Sequence, residues 1–154
     1  MGKWSAPLIA VVLSVAAFAD ILAAPADFGK RLQEADRLAW LTGWYTALPI
    51  YMEVEKAATI AGDQRDAMYA KFGRLRGRMQ TMSLADASEQ ITIDLDTPLA
   101  KRDAKLRLRG LTVKGDIDLE WNVQAAERDW QHALQVAKDS ERRAGRTGPA
   151  ASWE

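Results

Sequence analysis

His132 is the single histidine of a 154-residue chain that has no cysteine. A histidine acting as general base needs a nucleophile or carboxylate within hydrogen-bond reach, and no motif supplies one beside it. Disulfides, thiolate chemistry, a Cys/His dyad and a multi-histidine metal centre are excluded by composition. Glu53/Glu55 and Asp94/Asp96 offer oxygens that a hard cation takes, but neither pair has the glycine turn or the ligand count of a calcium loop. They read as surface carboxylates. A glycine-rich phosphate loop, G-x-S-x-G and H-E-x-x-H do not occur. The sequence therefore predicts no catalytic residue, no metal and no cofactor, and the chain is not expected to be an enzyme.

Cations and aromatics at helical spacing remain. Lys71, Arg74 and Arg78 stand at i, i+3 and i+7, and Arg102, Lys105 and Arg109 repeat that pattern. Residues so spaced share one helix face. Two such stripes side by side would grip an acidic peptide or a C-terminal carboxylate through paired hydrogen bonds from arginine. The plain alternative is a solvated face, its charges answered by Asp66, Asp103 and nearby Glu. Trp40, Trp44, Tyr45 and Tyr51 crowd one segment. Aromatics anchor interfaces, but at this spacing packing between helices is the expected role, as it is for Trp121 and Trp130. Trp44 and Tyr45, at the turn, are expected to reach the surface. The candidate partner-binding residues are thus Lys71, Arg74, Arg78, Arg102, Lys105, Arg109, Trp44 and Tyr45. With 21 basic and 21 acidic residues the net charge is zero. No global field draws the chain to nucleic acid, so the expected partner is a protein or peptide.

Helix signals that would position these residues run through 27–140. Asp27 is an N-cap, and Phe28, Leu32, Ala35, Leu38 and Leu41 recur behind it until Thr42-Gly43. Thr46 is expected to cap the next helix, with Pro49 in its first turn, where a missing N–H costs nothing. Ala47, Leu48, Tyr51, Val54 and Ala58 share its face. Gly62 ends it and Asp63 opens another, striped by Met68, Phe72, Leu75 and Met79. Ser83 caps a helix through about Leu95. Leu106, Gly110, Val113 and Ile117 stripe one from about Lys101, and Asn122 caps the last, lined by Val123, Ala126, Trp130, Ala133, Leu134 and Ala137. The segment ERRAGRTGPAASWE predicts a flexible tail over 141–154. Residues 90–95 and 105–121 also alternate with period two, with Gly110 and Gly115 as turns. An α+β domain with a small β-meander at 90–121 is therefore the competing fold. The helical stripe through Leu106–Ile117 favours helix.

Ala47, Tyr51 and Val54 recur 79 residues later as Ala126, Trp130 and Ala133 (126 − 47). A small residue lets two helices approach, and the aromatic four positions on fills the groove between them. With its blocks GDQRDAMYAKFGRLR and KGDIDLEW, the chain resembles the tetratricopeptide-repeat (TPR) region ahead of effector domains in large bacterial CHAT-domain (caspase-like) proteins, over about residues 35–140. The resemblance implies an all-α fold of antiparallel helical hairpins stacked as a short α-solenoid, with pairs 27–42/45–61, 63–80/84–96 and 101–118/122–140. It implies a non-catalytic scaffold that docks a peptide or partner helix on a concave face formed by 28–41, 68–79 and 102–113. No effector domain follows in this sequence, so the enzymatic activity of the longer proteins is not carried over. The competing function is a membrane-anchored sensory or regulatory fragment of a larger signalling protein. Solenoids need polar caps, and none is evident after Ser140, so self-association is a further expectation.

Lys3 and the apolar run PLIAVVLSVAAF at 7–18 have the form of a secretory signal peptide, and Asp20 interrupts the run before it reaches the length of about 20 that spans a membrane. Residues 1–26 are expected to be a leader, with export to the periplasm or secretion, or else an inner-membrane anchor. Ala17-Phe18-Ala19 and Ala24-Pro25-Ala26 are the small-x-small cleavage sites. N-terminal sequencing of the protein from cells is expected to give Asp20, Pro25 or Asp27 as the first residue; intact Met1 in the membrane fraction would count against the secreted module.

Overall fold

A computed structural model of the chain describes residues 27–147, with side chains through 145. The expected leader at 1–26 and the end of the expected tail, 148–154, lie outside the described residues. Among the described residues seven helices follow one another: α1 Phe28–Thr42, α2 Trp44–Ala61, α3 Gln64–Gly77, α4 Leu84–Leu95, α5 Pro98–Arg102, α6 Ala104–Asp118 and α7 Val123–Thr147. The fold is all-α, built of stacked helical hairpins, with no strand among the described residues. Residues 90–121 form α4, α5 and α6, so the β-meander is not what the chain adopts. Leu106, Gly110, Val113 and Ile117 are all buried along one side of α6, and a strand could not place them on one face.

The caps explain most of the boundaries. Asp27, Asp63, Ser83, Thr97 and Asp103 each accept a hydrogen bond from a backbone N–H three residues on, satisfying first-turn donors. Gly62 closes α2 with φ 77°, a left-handed conformation that favours glycine. Gly43, at φ 101°, does the same between α1 and α2. That single-residue joint corrects the expected start of α2: the helix opens at Trp44, and Thr46 lies inside it. Pro49 consequently sits in the second turn, where the Tyr45 carbonyl loses its helical donor. The third pair also differs from expectation. Thr97-Pro98 opens the five-residue α5, and Asp103 breaks it from α6. At the far end α7 continues helical to Thr147, beyond the expected onset of the tail.

Sequential helices pack as α1/α2, α2/α3 and α6/α7, while α6 also receives α3 and α4. One core cluster joins Leu32, Ala35 and Ala39 of α1 to Ala47, Tyr51 and Val54 of α2 and Ala70 of α3. A second joins Phe72 and Leu75 of α3, Ala87 and Ile91 of α4, and Val113 and Ile117 of α6. Trp44 is half-buried and packs against both clusters. Trp40 does not share the expected packing role: it is 86% exposed, as its face of α1 turns away from α2. Trp121 is likewise on the surface.

At three helix crossings a glycine faces a large side chain. A Cβ added to Gly73 would lie 2.6 Å from the Tyr51 ring, at Gly110 2.7 Å from Leu95 Cδ2, and at Gly115 2.4 Å from Trp130 Nε1. The backbones of α3 and α6 can approach their partners because nothing projects from these positions. Gly145 of α7 faces open space. Gly73→Ala is therefore expected to lower stability by about 2 kcal/mol through overpacking against a fully buried ring. Gly145→Ala should instead raise it by up to about 1 kcal/mol. Urea unfolding midpoints of the two variants compare these directly.

Candidate functional site

Asp36 is the one acidic residue on the inner side of α1, next to buried Ala35. Its Oδ1 accepts from the Tyr51 hydroxyl of α2 at 2.6 Å and from Arg109 Nη2 of α6 at 2.7 Å, and its Oδ2 accepts from the Tyr69 hydroxyl of α3 at 2.7 Å. Arg109 Nη2 also donates to the Tyr51 hydroxyl at 2.9 Å. Three rings enclose the guanidinium, with Trp44 and Tyr69 centroids at 4.9 Å and Tyr51 at 5.6 Å. Trp44 and Tyr51 stack at 6.1 Å. Ring faces and a carboxylate stabilise the cation through Nη2 and its π contacts, while the buried Arg109 Nε has no hydrogen-bond partner. Four helices are fixed by this cluster.

Above it, α1, α3 and α6 enclose a groove of about 440 Å³. Leu32 and Asp36 line it from α1, Arg65 and Tyr69 from α3, and Lys105 from α6. Arg65 is engaged at the rim: its Nε donates to Asp103 at 2.6 Å and its Nη1 to Asp66 at 3.0 Å. Lys105 is exposed, with its Nζ 5.5 Å over the Tyr69 ring, and makes no ion pair among the described residues. Deeper along α6, burial raises the Asp116 carboxyl above its ordinary range, while Arg76 and Arg109 pull it back.

The structure does not bring the two predicted basic stripes together. Arg65, Tyr69 and Arg76 recur on one side of α3; Lys71, Arg74 and Arg78 lie about half a turn away, on the opposite side. Lys71 reaches Asp94 of α4 at 2.7 Å, and Arg74 forms a two-pronged contact with Glu55 of α2. Arg78 is exposed at the C-cap of α3. Among the predicted set, Lys105 lines the groove, Trp44 and Arg109 belong to the Asp36 cluster, Tyr45 is 74% exposed, and Arg102 lies on α5. The carboxylates expected at the surface are each paired, Glu53 with Arg31 and Asp96 with Lys101, and Asp94 is buried. Sequence reasoning missed Asp36 and Tyr69. The available signal was a lone acid at the edge of an apolar helix stripe, facing Arg109 only after folding.

Among the described residues no group of three His, Asp or Glu side chains could hold a metal ion. Comparisons with protein-family models, with curated proteins and with solved structures find no match for this chain.

Burial pushes the Tyr69 hydroxyl up to about 12 and the Tyr51 hydroxyl above its usual range, against the pull of Arg109; the hydrogen bond to Asp36 adds to the rise. Both tyrosines ionise near 10 when unfolded. Between pH 10 and 12 the unfolded chain therefore holds fewer protons than the folded one, and stability falls as pH rises. Urea midpoints should be level up to about pH 9 and decline above 10; Tyr51→Phe/Tyr69→Phe should flatten that decline while lowering stability at pH 7.

Proposed function

We propose that the chain is a non-catalytic protein-interaction scaffold that docks an extended peptide or partner helix in the groove between α1, α3 and α6. The observation that carries this reading is the groove itself: three helices that are not all sequential hold it open, and the Asp36–Arg109 cluster fixes its floor. A preformed groove spares a ligand the cost of ordering its receptor. Tyr69 presents an aromatic wall and Lys105 a cation without a carboxylate, so a partner with an acidic side chain beside an apolar one fits best. Arg109 is committed to Asp36 and acts as an organiser of the floor. Membership of the tetratricopeptide class belongs to the same proposal.

Export to the periplasm or beyond, or retention at the inner membrane, rests on the apolar run at 7–18. Among the described residues no helix is long and apolar enough to cross a membrane. A second reading, a regulatory fragment of a larger signalling assembly or a self-associating unit, is favoured by α7. Val123 and Leu134 on that helix are 59% and 55% exposed, along the edge where a further helix would pack.

Charge reversal discriminates the faces. In affinity capture from native extracts, Lys105→Glu is expected to reduce recovery of the partner roughly tenfold, about 1.4 kcal/mol of binding. Arg78→Glu, exposed at the other side of α3, should leave it unchanged. Equal recovery with both variants would discard the groove.

A further inference from the structure

The side of α6 turned away from the groove carries a second cleft, bounded by α5 and α7. It consists of two adjoining hollows of about 270 and 290 Å³ that share Lys101, Arg107 and His132. Together they reach the size range of small-molecule sites, roughly 300–1,000 Å³. The cleft exists because α5 interrupts the connection between α4 and α6, and because α7 packs chiefly on α6.

The two hollows differ in chemistry. The first gathers Arg102 of α5, Arg107 of α6, and His132, Gln135 and Ser140 of α7. Its one carboxylate, Asp139, is occupied by Gln135 at 3.1 Å and by Arg142. The second has Leu95 and Leu111 as an apolar floor. Its acids are taken as well: Asp96 by Lys101 at 2.5 Å and Asp129 by Lys114 at 2.8 Å. Arg102 and Arg107 make no ion pair with a carboxylate among the described residues. Arg107 Nη2 instead faces His132 Nε2 at 3.5 Å. A guanidinium beside an imidazole is poorly matched, since the ring nitrogen accepts only in its neutral form. An anion oxygen bridging the two from the open side of the cleft gives both a partner.

We propose that this cleft binds a phosphate monoester that carries an apolar group. A carboxylate is satisfied by one arginine fork, whereas a phosphate has three terminal oxygens and takes donors from several directions. Here the donors come from α5, α6 and α7 together. The group attached to the phosphate lies over Leu95 and Leu111. The site is independent of the groove on the other face of α6.

His132 provides a single-site reporter, because no other histidine contributes ring signals. Phenyl phosphate is titrated into the full chain while the His132 ring protons are followed by NMR, with inorganic phosphate, benzoate and phenol as parallel arms. Phenyl phosphate is expected to give a saturable shift, with each other probe at least about tenfold weaker. Arg107→Gln and Arg102→Gln should each weaken it by about tenfold or more with the helical circular dichroism unchanged, and Arg78→Gln should have no effect. No saturable shift up to about 10 mM, or an unaltered titration in Arg107→Gln, would overturn the proposal. Benzoate binding as well as phenyl phosphate would overturn the phosphate assignment, and inorganic phosphate or phenol doing so would overturn the two-part cleft.

Discussion

The contact between Asp36 and Arg109 closes a loop of 73 residues and sets the position of α1 against α6. A half-buried carboxylate and guanidinium are costly when either stands alone, because water no longer solvates the charge. Here the carboxylate accepts three hydrogen bonds and the guanidinium lies among three rings. The carboxylate is thus fully hydrogen-bonded by groups that the helices carry in fixed positions, and the guanidinium is stabilised through Nη2 and the rings, with its Nε left unpartnered. The pairing works in one arrangement only: shifting α6 by one turn past α3 would strand Arg109 away from Asp36 and both tyrosines. Apolar stripes tolerate such slippage far better, since one leucine contact resembles the next. The polar cluster therefore specifies the register, and the two apolar cores supply the bulk of the burial.

Close approach is the other half of that specification. Tyr51 can reach Asp36 only because its ring lies flat against Gly73, and Phe72 can fill the space beside α6 only because Gly110 yields it. A second polar cluster does for α7 what Asp36 does for α1. Lys114 bridges Asp118 at 2.7 Å and Asp129 at 2.8 Å, tying α7 to α6 at the side of Trp130. Burial raises the Asp129 carboxyl, whereas Asp118, also raised by burial, is brought below its ordinary value by Lys114 and Ser88. The two acids thus divide one lysine unequally, with Asp118 holding the negative charge more firmly.

Much of the fold was legible because it obeys local rules. The stripes Phe72–Leu75 and Leu106–Val113–Ile117 are buried as their spacing predicts, and Asp27, Asp63 and Ser83 cap where they should. Thr46 and α5 were not legible, since two adjacent capping choices differ by little and tertiary packing decides between them. The candidate site was less legible still. Spacing says which cations share a helix face, but not which way the face points. Lys71 points to α4 and Arg74 to α2, whereas Lys105 points to α3 and Arg109 to α1, and that difference is set by the rotation of each helix about its axis. Asp36 carried almost no sequence signal, since an acid beside an apolar stripe is an ordinary helix-surface residue until its partner is known.

Helix rotation also accounts for the segment that looked most like a strand. Residues 105–109 read Lys-Leu-Arg-Leu-Arg, and period-two alternation is the mark of a half-buried strand. On a helix, positions 105 and 109 fall on one side and 107 near the opposite one. The alternation thus feeds cations to two faces at once: Lys105 to the groove and Arg109 to Asp36 on one side, Arg107 to the cleft beside α7 on the other. The apolar residues between them separate the faces, with Leu106 fully buried against the core. A helix that must present charge on both sides and still bury one stripe will mimic a strand in sequence. What distinguishes it is farther along, where Gly110, Val113 and Ile117 continue the buried stripe at intervals that a strand cannot keep on one face. Helix α6 is therefore the shared wall of both proposed sites, presenting Lys105 to one and Arg107 to the other.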